Sequence, residues 1–315
     1  MDTFTKWNKL PSELREHGLS FFKSRELLQY SQLSRFCDDE VQRFNTTTPK
    51  YLIIQQKPRF TSIRATYSTR KEFECRFLEI DGNTYKLIRQ DPTALNCYNK
   101  RSCQAAFKYL EKFLKYMASA EIEDIIVDCK EWPQELEGTS VIFNIPKWKV
   151  QMYPSMCDNF LNSMYETTNV KILILSPNFA SRDLVCLPSE FFKSTFFKQL
   201  EIANFDVKGN MLDEDFLCCN TRYLHLESGT ISDIAINQKL RQWCKGETKI
   251  ESFRITLSNR SPNTDTILQD LLFDAGSTGL FRIYGQGGKK GDVHIYDRTP
   301  EVLSSVVILI SQLEY

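Results

Sequence analysis

The run Gly285-Gln286-Gly287-Gly288-Lys289-Lys290-Gly291 has the composition of a phosphate-binding loop. In such loops glycine lets backbone N–H groups approach an anion, and lysine adds charge. The run lacks the Gly-Lys-Ser/Thr ending of a P-loop. The residues after it, Asp292-Val293-His294-Ile295-Tyr296, alternate like a strand instead of opening a helix, which departs from the dinucleotide pattern. It reads instead as a long, flexible hairpin tip between Phe281–Tyr284 and Asp292–Tyr296, with Lys289 and Lys290 available to an acidic partner.

Other chemistry is sparse. His17, His225 and His294 are the only histidines, none has a second histidine at ligand spacing, and no Cys–His metal pattern occurs. No Gly-x-Ser-x-Gly nucleophile elbow is present. Ten cysteines offer thiols, but nothing singles one out as a nucleophile. They form no Cys-x-x-Cys, and the adjacent Cys218-Cys219 is unsuited to a simple bridge. Asp213-Glu214-Asp215 suits a helix start, where carboxylates meet the positive end of the dipole. The expectation is a protein that is not an enzyme and binds no metal or cofactor.

The 315 residues are ordinary globular material, 42% hydrophobic and 25% charged, with a formal net charge of zero. No global charge points to nucleic acid or a membrane surface. Residues 50–116 are locally basic and 119–245 locally acidic. No stretch has the length and apolarity of a membrane span, and Met1 to Trp7 lacks the apolar run of a signal peptide. The cysteines are therefore expected to be reduced, mostly buried thiols in a cytoplasmic or nuclear protein.

Periodicity supplies the elements. Arg59 to Thr69, Phe73 to Ile80 and Thr84 to Arg89 alternate as strands, with Asp81-Gly82 as a tight turn. Cys103, Ala106, Phe107, Leu110, Phe113, Leu114 and Met117 recur at helical spacing behind Ser102, a candidate N-cap. Asp124 to Cys129 reads as a buried strand. Strand-like segments then recur at Val170–Ser176, Gln199–Asn204, Thr221–Glu227, Ile250–Leu257 and Gly279–Tyr284. Helical or irregular segments alternate with them at Ser155–Tyr165, Pro188–Phe197, Asp213–Leu217, Ser232–Cys244 and Thr264–Asp274. The strand spacing is roughly 23 to 30 residues, within the range of leucine-rich-repeat-like units. Val302 to Leu313 closes the chain as an apolar helix or strand. Within Thr221–Glu227, Tyr223, His225 and Glu227 alternate against Leu224 and Leu226, which makes these three candidates for a binding face.

The first forty residues carry a second pattern. Leu10-Pro11-Ser12-Glu13-Leu14 is followed by Glu26-Leu27-Leu28-Gln29-Tyr30-Ser31-Gln32-Leu33-Ser34. Pro11 suits a first helical turn, Leu10 and Leu14 lie about one turn apart, and Ser24 is a plausible N-cap. Three short helices bury little alone, so Leu10, Leu14, Leu19, Phe22, Leu27, Leu28 and Leu33 would leave an apolar surface needing a partner.

The segment resembles an F-box, the module that docks a protein onto a Skp-family adaptor and a cullin ubiquitin ligase. Gly18-Leu19 stands where an Ile-Phe-like pair is usual, and Cys37 where a large aromatic is common. The later run of strand, Ser232-Asp233 helix start, Leu240-x-x-Trp243 and Gly246 is similar to the F-box-associated domain of the large nematode F-box families. The resemblance implies an F-box over 5–45, a β-rich linker region over 46–101 and a leucine-rich-repeat-like substrate-binding domain over 102–315. The expected fold is α/β: a three-helix F-box, then an irregular β–α arc with small antiparallel hairpins. It also implies adaptor contacts from Leu10, Pro11, Leu14, Leu19, Phe22, Leu27, Leu28, Ser31 and Leu33. The implied function is substrate recognition in a Skp–cullin–F-box ligase, with a protein substrate held on the arc. The alternative is a binder that neutralises a toxic or foreign protein by sequestration, its F-box vestigial.

Overall fold

The computed structural model describes residues 49–67, 72–88, 91–98, 101–115, 122–132, 145–165, 169–177, 185–258, 260–276, 279–296 and 305–309, with five isolated helical positions before them, Leu14, Arg15, Leu19, Tyr30 and Cys37. The chain divides into two compact units, 1–125 with 139–145, and 126–138 with 146–315.

The first unit is built on an antiparallel meander. Strands β1 (Pro49–Lys57), β2 (Phe60–Tyr67), β3 (Glu72–Ile80), β4 (Asn83–Ile88) and β5 (Asp91–Tyr98) pair in chain order. Asp81 and Gly82 both have positive φ, 49° and 78°, the geometry a two-residue hairpin needs. Leu52, Ile54, Ile63, Ala65, Cys75 and Phe77 are buried. Helix α1 (Ser102–Lys115) packs on β2 and β3. Its first N–H, on Ser102, donates to Glu79 Oε1 at 2.5 Å, so a carboxylate sits at the positive helix end. The Phe77 and Tyr109 ring centroids are 5.6 Å apart, joining strand to helix.

Strand β6 (Asp124–Asp128) lies where the chain passes from one unit to the other. The second unit then carries β7 (Lys147–Met152), α2 (Cys157–Tyr165), β8 (Ile172–Pro177), β9 (Cys186–Leu187), α3 (Ser189–Lys193), α4 (Thr195–Gln199) and β10 (Ile202–Gly209). There follow α5 (Asp213–Cys218), β11 (Tyr223–Ser228), α6 (Asp233–Cys244), β12 (Ser252–Leu257), α7 (Thr264–Leu268), β13 (Phe273–Ala275), β14 (Leu280–Tyr284), β15 (Lys290–Tyr296) and β16 (Ser305–Leu309). Strands β7, β8, β10, β11 and β12 are parallel neighbours in that order. Beyond β12 the sheet continues antiparallel through β16, β15, β14 and β13.

Alternation along the parallel strands puts Trp148, Val150, Leu173, Leu175, Ala203, Phe205, Leu224, Leu226, Phe253 and Ile255 on one buried face. Helices cover that face: α2 touches α4, α5 touches α6, and α6 touches α7. The helices α3 and α4 have five residues each, too short to persist alone. Ser194 ends one and starts the other, its Oγ donating to the Phe191 carbonyl and accepting from Phe197 N–H at 3.1 Å. Four phenylalanines, Phe191, Phe192, Phe196 and Phe197, thereby turn into the core, where rings of Phe191 and Phe197 lie 5.7 and 6.3 Å from Phe205. Lys239 on α6 is fully buried, and its ammonium donates to the carbonyls of Leu217 and Cys219 at 2.8 and 2.7 Å, at the negative end of α5. Burial pushes its pKa down.

The expected fold class is corrected by this architecture. The fold is mixed α/β, and among the described residues no three-helix module stands at the N-terminus. A leucine-rich-repeat-like arc would carry its parallel strands onward, but the parallel run stops at β12 and the sheet is finished by an antiparallel meander. Spacing along the sequence does not encode strand direction. The Leu280–Tyr284 segment has the spacing of a next repeat, yet it pairs antiparallel with β13 and β15. The closing apolar segment contains a strand, β16, which inserts between β12 and β15.

The glycine-rich tip is also packed more closely than expected. A Cβ at Gly291 would meet Trp243 Cη2 at 3.0 Å, and one at Gly285 the Cys244 carbonyl at 3.0 Å. These glycines let the hairpin approach the end of α6.

Replacing Phe197 by Ala should lower the unfolding free energy by about 3–5 kcal/mol, the cost of a large buried cavity. Tyr223→Ala, on the uncovered face, should cost less than about 1 kcal/mol. Denaturant titration of both variants checks the assignment of core and surface.

Candidate functional site

The face of the parallel sheet opposite the helices is lined by the alternate residues of each strand. Parallel pairing sets them in rows. Lys147, Ile172, Ile202, Tyr223 and Ser252 are successive register partners, as are Lys149, Ile174, Asn204, His225 and Arg254. The rows align because the strand starts are tied together. The carbonyls of Pro146, Lys171, Glu201 and Arg222 each accept two successive N–H groups from the next strand start, at 2.8 to 3.2 Å.

A groove of about 450 Å³ crosses the first residues of β10, β11 and β12, lined by Ile202, Ala203, Asn204, Tyr223, Leu224, His225, Ser252 and Arg254. Tyr223 is 41% exposed. Its hydroxyl donates to Glu251 Oε2 at 2.5 Å, and Arg222 Nε donates to Glu251 Oε1 at 2.8 Å. The tyrosine hydrogen bond and the arginine hold the Glu251 carboxyl below its usual range, and the carboxylate in turn raises the Tyr223 phenol. The rim therefore keeps a fixed ion pair with an aromatic ring braced against it.

His225 sits in the floor of the groove. Its Nδ1 lies 2.8 Å from Asn204 Oδ1, so an Nδ1–H donates there and Nε2 becomes the acceptor. Asp206 Oδ1 is 3.4 Å from the same nitrogen. Burial pushes the imidazole pKa down, Asp206 opposes that shift, and Arg254 adds to it. The ring is thus neutral at pH 7 and works as an oriented hydrogen-bonding group.

Glu227 lies further along the same face. It accepts from Ser258 Oγ at 3.0 Å and pairs with Lys208 Nζ at 3.5 Å. Lys208 is the register partner of Cys186 on β9. Burial raises the Cys186 thiol pKa, so it is a poor thiolate at neutral pH. Among the described residues no group of three or more His, Cys, Asp or Glu side chains is placed to hold a metal ion. No described helix is long and apolar enough to cross a membrane.

The three candidate face residues thus share one face, with Tyr223 and His225 in the groove and Glu227 outside it. Sequence reasoning missed Asn204 and Arg254. Both occupy alternate positions of recognised strands, but linking them to His225 requires the parallel register. At the N-terminus, Leu14 is helical and 56% exposed, and Leu19 is helical and 1% exposed. Leu10, Pro11, Phe22, Leu27, Leu28, Ser31, Leu33 and Gly18 lie outside the described residues, and Cys37 is buried. No protein-family model, curated protein or solved structure matches this chain.

The titration of His225 tests this geometry. Its folded midpoint should fall below the usual 6.5. As pH drops, the unfolded chain takes the proton first, so this group's contribution is complete above that usual value and is lost as pH falls through the folded midpoint. By NMR, Asp206→Asn should lower the midpoint further and Arg254→Gln should raise it. A midpoint above 6.5 would contradict the arrangement.

Proposed function

We propose that this protein is a target-binding subunit of a Skp–cullin ubiquitin ligase. The open face of the parallel sheet holds a target protein, and the N-terminal segment engages the adaptor. The single observation that carries the target-binding part is the face itself. One side of the sheet is covered by helices, while the other leaves Tyr223 and Arg254 exposed beside half-buried Ile172, Ile174 and Ile202. An exposed aromatic and an arginine beside aliphatic side chains are the residue types that dominate protein interfaces.

Support for the adaptor part comes from the motif Leu10-Pro11-x-x-Leu14 with Leu27-Leu28-x-x-Ser31-x-Leu33. The exposure of Leu14 on its helical turn leaves that side chain accessible to another chain. The mechanism is tethering. A target held on the sheet meets the ubiquitin-charged enzyme at a high effective concentration, and no residue of this chain need touch the reacting bond.

The Leu14→Asp, Leu27→Asp double variant should lose co-purification with a recombinant Skp-family adaptor and keep target binding. Retention of the adaptor by the folded double variant contradicts the ligase reading. If a chain lacking residues 1–45 keeps its full biological effect, the protein acts by sequestration instead.

A further inference from the structure

We propose that the groove across β10, β11 and β12 is a site for an acidic peptide. It takes an aspartate or glutamate carboxylate on the Arg254 guanidinium and seats an adjacent apolar side chain on Ile202 and the Tyr223 ring. This inference rests on the reading of the open face as the target-binding surface, and it names the chemistry of what binds there.

The other described arginines of this unit are paired with carboxylates. Arg222 pairs with Glu251, Arg241 with Asp270, Arg260 with Asp233 and Arg282 with Asp292. Arg254, the remaining arginine described in the second unit, is exposed and has no carboxylate within ion-pair distance among the described residues. It is also the arginine that lines the groove. A guanidinium presents a planar fork of donors that matches a carboxylate, and such charge-assisted pairs are the strong ones.

Among the described residues, none of the neighbouring groups is paired with that guanidinium. Asn204 is neutral, and His225 is held to it through Nδ1. The nearer acids have partners of their own: Glu251 is bound by Arg222 and Tyr223, and Asp206 faces His225 and Ser176. Glu227 is held by Lys208 and Ser258. The groove thus offers one cation together with hydrogen-bonding groups from Asn204 and His225, beside the apolar side chain of Ile202. Rows that run across the strands extend this surface to Ile172 and Ile174, which gives an extended segment room beyond the carboxylate.

The test uses the full chain, fluorescently labelled, on an array of immobilised peptides. Each acidic peptide is spotted beside its Asn or Gln counterpart. Binding should concentrate on peptides with a carboxylate next to Leu, Ile or Phe, and the amide counterpart should bind about tenfold or more weakly. Arg254→Gln should abolish that preference, Arg254→Lys should retain part of it, and Arg282→Gln should leave it intact. No binding to acidic peptides, equal binding of acid and amide peptides, or an unchanged preference in Arg254→Gln overturns the inference. If the unaltered chain shows no preference for acidic peptides on the array yet a target is still captured by the sheet, the receptor reading stands while this assignment falls.

Discussion

A carbonyl oxygen at the head of four of the five parallel strands receives two successive N–H groups from the strand that follows. Pro146, Lys171, Glu201 and Arg222 repeat this contact along the second unit. The backbone groups at the strand starts would otherwise have no partners within the sheet, and burying them unpaired is costly. By pairing them in steps, the chain fixes the register of five strands at one end. Because side chains alternate with a period of two, a slip of one residue would turn every core side chain outward. The ladder is therefore what keeps Leu224 and Leu226 inside and Tyr223 and His225 outside.

The helical layer obeys a matching rule. Asp213, first in α5, accepts from the N–H of Ser232, the N-cap of α6, at 2.8 Å. Asp233, first in α6, accepts from the N–H of Asn263, the N-cap of α7, at 3.1 Å. One aspartate per step thus satisfies an orphan donor of the following helix and sits where the dipole favours negative charge. Asn237 adds two bonds to the carbonyls of Ile267 and Gln269. These polar links set helix spacing, while the phenylalanine cluster supplies the apolar burial beneath. With both layers fixed, the uncovered face is free to vary in side-chain chemistry without cost to the core.

Much of this was legible from periodicity. The hairpin at Asp81-Gly82, helix α1, and strands β8, β11 and β12 follow from alternation, helical spacing and capping residues, whereas only Ile202 to Asn204 of β10 fall within the expected segment. Other elements escaped for physical reasons. Lys147-Trp148-Lys149-Val150-Gln151-Met152 alternates cleanly between Pro146 and Pro154 and could have been found. Strand β5 carries Pro92, which argues against a strand interior and is tolerated because β5 pairs on one side only within its unit. The segment expected to be helical or irregular to Asp274 is helical only to Leu268; beyond it Asp270 takes a φ of 56° and Arg241 holds its carboxylate. The chain then turns into β13. Strand direction was the largest blind spot, since parallel and antiparallel neighbours leave the same trace in one sequence. For that reason the antiparallel finish was missed; the grouping of Asn204 and Arg254 with His225 was missed because the sequence does not give the register between neighbouring strands.

Target binding as proposed requires the sheet's open face to be the surface that meets a partner. Site-specific photo-cross-linking addresses this directly, with p-benzoylphenylalanine placed at position 223 on the open face or at position 234, an exposed site on α6. A bound target should be captured from 223 and not from 234. Capture from 234 alone would place the partner on the helical layer and contradict the proposed binding face.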